Sequence, residues 1–416
     1  MKLAAITMFL DALIMLNCGR MEATEAVDCP RTYQRLIAAQ PTTVVCFGDS
    51  VTGVYYHTGG LRAYPELIEI ALRKQFPKCE LRVINAGVSG DTTSLGLARL
   101  EKDVLEREPH LVTVMFGLND MKWLPLEQFR SNLVEIAKRV SNRGAEVLFC
   151  TPNSIESSSD RPVARLAEFV AATNQVGSEL RLPVADVFSA WEQIRAADAT
   201  GFTLLLSDTV HPNLDGHKQT AAMITQAVGR RKTSLKAEKP PQLAIPRTCE
   251  LLAQKRPIKI FAMSPYDASI LPMLQALDPA AEVQVTAWPV AGKSIAEIEE
   301  DAKQVRDLHP DLVIVAVPYM NSIASPTAFA RSYGWILNRS LSYGEREWDV
   351  LAFPPSLVQP ARSDQQRSQD QLVQRLISAQ DLSLIVRSPN DDRSATDLLS
   401  AWFQDQRAIA NRKQKQ

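Results

Sequence analysis

Hydrophobic and polar positions alternate along this chain on two scales. From residue 43 onward, short apolar runs ("TVVCFG", "LRVINAG", "LVTVMFG", "AEVLFCTP" and "LPVADV") are separated by longer amphipathic stretches. The latter include "LRAYPELIEIALRKQF", "SLGLARLEKDVLERE" and "LEQFRSNLVEIAKRVSNRG", the last ending on Gly144, as helices commonly do. Apolar runs with few charges predict strands of a parallel sheet covered on both faces, and the amphipathic stretches predict the covering helices. Together they predict a three-layer α/β sandwich.

Around residues 229–254 the periodicity is lost and Lys, Pro and Gln gather, which predicts a linker over 231–254. Beyond it the alternation restarts with "PIKIFAM", "EVQVTAW", "DLVIVAVP", "EWDVLAFPP" and "LSLIVRSP". The halves can be aligned: "ARLEKDVLEREPHLVTVMFGLND" lies over "EEDAKQVRDLHPDLVIVAVPYMN", Pro109 falls opposite Pro310, and Gly90 falls opposite Gly292. The expected layout is an α/β domain over 35–230 and a second, of the same rhythm, over 255–410 that reads as a degenerate copy.

Size agrees with two domains, since 416 residues with 45% hydrophobic content exceed what one core usually supports. The formal charge of -1 and the shortness of the basic clusters "GRRK" and "NRKQKQ" speak against a nucleic-acid groove or a polybasic membrane patch. Six cysteines, at 18, 29, 46, 79, 150 and 249, form no C-x-x-C pair, so neither a disulfide scaffold nor a metal site is expected. Cys46 and Cys150 sit inside apolar runs and are expected to pack there. The start, "MKLAAITMFLDALIMLNCG", has a lysine before an apolar stretch too short to span a membrane. It predicts a signal segment over 1–25 and a secreted or cell-envelope protein. Asp11 and Asn17 fit that pattern poorly, and without the signal the chain would be cytoplasmic.

Candidate chemistry begins at "GDS", where Ser50 ends an apolar run. It is either a nucleophile or a residue capping a following helix. A serine nucleophile needs a histidine base and a carboxylate to orient it. Of the five histidines, His110 and His309 abut the prolines that precede strands, on the edge of the sheet away from ligands. His211 in "SDTVHPN" has Asp208 three residues before it, a spacing that lets one turn hold both; the other reading is a helix start with Asp208 as cap. "NAGVSGDTT" and "MFGLND" follow strands and offer backbone and Asn119 donors for an oxyanion, or else ordinary helix caps at Asp91 and Asn119.

Taken in order, "GDS", "GVSGDT", "GLND" and "DTVHPN" resemble the four blocks of the SGNH hydrolases, also called the GDSL esterases and lipases. The resemblance covers roughly residues 43–230 and implies a flavodoxin-like α/β/α sandwich. It implies catalytic Ser50, His211 and Asp208, with an oxyanion hole formed by the N–H of Ser50, the N–H of Gly90 and the side chain of Asn119. Asp49 is expected to hold the nucleophile loop, Thr52 to start a helix whose N–H groups favour a developing anion, and His217 to be packing or surface. "GVYYHTGGLRAY" either lines the cleft, with His57 and Arg62 as polar contacts, or is an ordered loop with no ligand.

The second half has "IFAMSPYD" where the first has "CFGDSVT", Ser264 lies in no matching block, and no D-x-x-H occurs near its end. It is expected to lack this chemistry and to cover the first domain, shape the cleft or bind substrate. The expected activity is hydrolysis of carboxylic esters through an acyl-enzyme; carbohydrate O-acetyl groups are favoured because the resemblance implies them, many members of that family acting on such esters, and because no long apolar lid is present. Lysophospholipids, thioesters and acyl transfer remain open on the same residues. The alternative is a non-catalytic carbohydrate-binding or scaffold protein, which would have no need of Ser50, Asp208 and His211 together. No metal, organic cofactor, nucleic-acid partner or integral membrane domain is expected; the partner is a small-molecule or polysaccharide ester.

Overall fold

The computed structural model describes residues 29–321, 323, 325–387, 391 and 393–413; the expected signal segment at 1–25 lies outside them. In the first half, β1 (Thr42–Gly48), β2 (Leu81–Gly87), β3 (Leu111–Met115), β4 (Glu146–Cys150) and the two-residue β5 (Val184–Ala185) form one parallel sheet. Its order is β2-β1-β3-β4-β5. Val44, Val45, Cys46 and Phe47 of β1 are all fully buried. Successive side chains of a strand point to opposite faces, so both faces of the sheet are covered. Helices Pro30–Ile37, Tyr64–Gln75 and Leu214–Gly229 pack together, as do Thr93–Asp103, Leu126–Asn142 and Val163–Leu180. The chain builds outward from β1 in both directions, and the loops leaving β1 and its neighbours part at the C-terminal edge. This is where open α/β sheets hold ligands.

The second half repeats the plan with β6 (Ile258–Met263), β7 (Val283–Trp288), β8 (Leu312–Val315) and β9 (Asp349–Ala352), in the order β7-β6-β8-β9. Val44 pairs with Val83 and Leu111, and Ile260 pairs with Val285 and Leu312, which fixes the correspondence between the sheets. In that register Gly90 falls on Gly292, and both have positive φ, 81° and 75°. Ser50 falls on Tyr266, which is buried, and Asn119 falls on Met320.

A second repeat lies at the opposite edge. Pro30-Arg31-Thr32 opens one helix and Pro246-Arg247-Thr248 opens another, with proline in the first turn, where no N–H is missed. Glu146, the first residue of β4, accepts the Arg31 N–H at 3.0 Å and both the N–H and hydroxyl of Thr32 at 2.6 Å. Asp349, the first residue of β9, accepts the Arg247 N–H at 3.2 Å, the Thr248 N–H at 2.6 Å and its hydroxyl at 2.7 Å. In each case a carboxylate from a distant strand satisfies the free donors of a helix start.

Two expectations are corrected here. The stretch expected as linker ends in the helix Pro246–Ala253, whose Thr248, Leu251 and Leu252 are buried. The run "LSLIVRSP" forms no strand over residues 382–387: Leu382 and Ile385 pack into the second core without pairing with β9. The two halves are in direct contact. Arg62 pairs with Asp381, Arg331 with Glu156, and Leu204 of the first half is buried in the core of the second.

Candidate active site

Ser50 stands just beyond the C-terminal end of β1. No helix starts there, contrary to expectation. The Asp49 carbonyl accepts the N–H groups of both Thr52 and Gly53 at 3.1 Å, closing a tight turn, and the next α-helix begins only at Tyr64. Thr52 turns inward instead of starting a helix, and its hydroxyl meets the Tyr64 hydroxyl at 3.0 Å. Asp49 holds the turn as expected: its Oδ1 accepts the Val51 N–H at 2.9 Å. Burial pushes the Asp49 carboxyl up to about 7, against the opposing influence of that N–H and of the His211 charge.

The Ser50 hydroxyl lies 2.9 Å from His211 Nε2 across 161 residues of sequence. On the other side of the ring, His211 Nδ1 lies 2.8 Å from Asp208 Oδ2. Asp208 is almost completely enclosed and takes four donors. Its Oδ1 accepts the N–H groups of Val210 and His211, both at 2.7 Å, and its Oδ2 also accepts the Tyr56 hydroxyl at 3.3 Å. Burial alone would raise the Asp208 carboxyl; the charge and hydrogen bonds of His211 overcome it and hold the group well below the usual carboxylate range. Asp208 is therefore an anion at any working pH, with Nδ1–H of His211 directed at it and Nε2 left to accept from Ser50.

The two candidate donors lie at the same edge. Gly90 is exposed, and its positive φ of 81° is one that a side chain would strain; the space beside it is open. Neither the N–H of Gly90 nor that of Ser50 has an acceptor among the described residues. Asn119 Nδ2 donates to the carbonyl of Asp91, next to Gly90, at 3.0 Å. Arg161 donates to Asn119 Oδ1 and to the Leu118 carbonyl, each at 3.2 Å. A guanidinium on the oxygen end fixes which way the carboxamide faces, leaving one N–H of the amide for a ligand.

Ser50, His211 and Asp208 are joined by hydrogen bonds, and Asn119 is bonded to the residue after Gly90 at the same edge of the sheet. His57 is not a cleft contact: it is fully buried, its Nε2–H donates to the Ser50 carbonyl at 2.9 Å, and its ring stacks on His211. Burial, followed by the His211 charge, holds its pKa well below the usual value, so it stays neutral. Arg62 faces Asp381 of the second half, and His217 is buried rather than on the surface. Sequence reasoning missed Tyr56 and Arg161, because neither sits at a block and each reaches the site only through the folded chain. His110 and His309 lie at the opposite edge, where His110 Nδ1 accepts the Thr43 N–H at 3.0 Å.

A model of the GDSL-like lipase/acylhydrolase family matches residues 46–219. An acetylxylan esterase from Geobacillus stearothermophilus is 25% identical over 204 residues, which span 46% of this chain and 87% of that protein. An arylesterase from Vibrio mimicus is 32% identical over 106 residues, 25% of this chain and 52% of its own length. A crystal structure of a lipase/acylhydrolase from Enterococcus faecalis superposes with a TM-score of 0.39 at 29% identity, covering 47% of this chain and 100% of that one. Residues 46–219 are thus a GDSL-like lipase/acylhydrolase domain, and the chain is a hydrolase of ester bonds.

Proposed function

We propose that Ser50, His211 and Asp208 are the catalytic triad of a serine esterase that removes O-acetyl groups from carbohydrates. The observation that carries this reading is the unbroken line from the Ser50 hydroxyl through both ring nitrogens of His211 to the Asp208 carboxylate. Ser50 Oγ attacks the acyl carbon as its proton passes to His211 Nε2, and Asp208 stabilises the imidazolium that forms. The N–H groups of Ser50 and Gly90 and the Asn119 carboxamide take the charge on the tetrahedral oxygen. His211 then protonates the sugar oxygen as its bond to the acyl carbon breaks, so that it leaves as a hydroxyl, and water repeats the sequence on the acyl-enzyme, releasing acetate.

Two things support the choice of substrate. The acetylxylan esterase relative aligns over most of its own length. Trp123, whose N–H bonds to the Asn119 carbonyl at 3.2 Å, is 68% exposed one helical turn from that oxyanion residue. The exposed indole, with the Lys122 ammonium 5.3 Å from its centroid, offers an aromatic surface and a polar group of the kind that suits a sugar ring better than an acyl tail. The second half, which repeats the strand order and the Pro-Arg-Thr helix start but puts buried Tyr266 where the nucleophile stands, is read as a diverged copy without this chemistry.

The test is a chain-length series of p-nitrophenyl esters together with acetylated xylo-oligosaccharides, on wild type and Ser50→Ala. The acetyl ester is expected to react faster than the octanoyl ester, acetate is expected from the oligosaccharides, and Ser50→Ala is expected to lose at least about a thousandfold in kcat. Full activity in Ser50→Ala would remove the nucleophile, and a preference for octanoyl esters would remove the carbohydrate reading.

A further inference from the structure

The second half shows no triad among the described residues, yet it touches the first half on both sides of Asp208. On one side, Tyr56 donates to Asp208 Oδ2 at 3.3 Å. The guanidinium of Arg306, from the second half, sits 5.0 Å from the centroid of the Tyr56 ring and 5.3 Å from that of Tyr343. Arg306 Nε and Nη2 are buried and have no hydrogen-bond partner among the described residues. This half-buried guanidinium lies over the faces of two aromatic rings, which stabilise its charge. The cation on the ring polarises the Tyr56 hydroxyl toward donation, and burial with the Asp208 carboxylate pushes its pKa above the usual range, so it stays a donor.

On the other side, Ser207 immediately precedes Asp208 and is 1% exposed. Its hydroxyl accepts from Asn338 Nδ2 at 2.9 Å and meets Gln380 at 3.2–3.3 Å. Asn338 and Gln380 both belong to the second half and are buried. A few residues earlier, Leu204 is embedded in the second core. The segment that carries Asp208 is therefore anchored in the second half. The loop that carries Tyr56 also runs close against the second half: a Cβ on Gly60, whose φ is +68°, would lie 2.5 Å from the Gly344 carbonyl oxygen.

We propose that the second half is a positioning element of the active site, with Arg306 acting through Tyr56 and Asn338 acting through Ser207 to hold the Asp208 carboxylate in line with His211. This rests on the triad reading above. Neither residue touches substrate. Their effect falls on the chemical step, because a triad whose carboxylate drifts loses the orientation of its base.

The test is steady-state kinetics of the full chain on p-nitrophenyl acetate. Arg306→Ala and Asn338→Ala are each expected to lower kcat by roughly tenfold or more, with KM within about twofold, since misplacement within a catalytic constellation costs rate rather than binding. Arg306→Lys keeps a cation over the rings and is expected to recover most of the loss. Arg306→Ala combined with Tyr56→Phe is expected to be no worse than Tyr56→Phe alone, because both act through one hydroxyl. Thr327→Val removes an interdomain hydrogen bond to Thr200 away from Asp208 and is expected to keep wild-type kcat. Wild-type kcat in both Arg306→Ala and Asn338→Ala would overturn the proposal, as would a loss in Thr327→Val equal to theirs or fully additive losses in the double variant. Should Asn338→Ala fail to fold, Arg306→Ala and its lysine rescue decide the matter alone. Ser50→Ala separates the readings: activity surviving there removes the triad, whereas activity lost there but intact in the Arg306 and Asn338 variants removes only the positioning role.

Discussion

The imidazole of His57 lies face to face with that of His211, with centroids 4.3 Å apart and planes 29° from parallel. Its Nε2–H also holds the Ser50 carbonyl, so one buried ring touches both the backbone of the proposed nucleophile and the proposed base. His57→Phe keeps a flat face against His211 but loses the donor, and is expected to lower kcat about tenfold through displacement of Ser50. His57→Ala loses both contacts and is expected to cost more. Steady-state kinetics on p-nitrophenyl acetate checks the order of the two; an alanine variant as active as wild type would refute the support role.

Asn119 and Arg161 form a donor and its orienter. Asn119→Ala removes one proposed oxyanion donor and is expected to reduce kcat about a hundredfold to a thousandfold. Arg161→Ala leaves the carboxamide in place but frees its oxygen, so the amide is able to flip. The expected loss is smaller, roughly tenfold, and absent in a background that already carries Asn119→Ala. Additive losses would show that Arg161 acts elsewhere.

Asp49 makes stability depend on pH. Its Oδ2 is buried without a hydrogen-bond partner among the described residues, and its carboxyl is raised to about 7 by burial. An unfolded chain releases that proton near pH 4, so between about pH 4 and pH 7 the folded state holds a proton that the unfolded state has lost. This group's contribution therefore falls as pH rises through that window and levels off above it. Asp49→Asn keeps an acceptor for Val51 and cannot ionise. It is expected to exceed wild type in stability at about pH 8, by something on the order of a few kcal/mol, and to lose that advantage near pH 4. Urea unfolding at both pH values measures it, and an equal difference at the two would contradict the assignment.

How much of this was legible in the sequence depends on the range of the interaction. Asp208 and His211 stand three residues apart, and Ser50, Gly90 and Asn119 each follow an apolar run, so pattern and spacing reach them. The helix Pro246–Ala253 was read as linker because the group that organises its start, Asp349, lies about a hundred residues away. The run "LSLIVRSP" was read as a strand because apolar periodicity reports burial, and Leu382 and Ile385 are buried without a ladder. Tyr56, Arg161 and Arg306 carry no local signature, since each acquires its partner only when distant loops meet. Ser50 itself was expected at a helix start, and the turn closed by the Asp49 carbonyl replaces it.

Leu204 lies four residues before Asp208 and is 2% exposed, yet it packs in the core of the other half. The stretch that corresponds to the family, residues 46–219, is thus a unit of ancestry without being a unit of mechanics. A fragment cut after Gly229 would retain all four blocks while stripping an apolar side chain and the Ser207 hydroxyl of the surfaces that enclose them. On the proposed reading, substitutions in the second half would be inherited as active-site lesions, and a search for inactivating mutations confined to the recognisable blocks would overlook them.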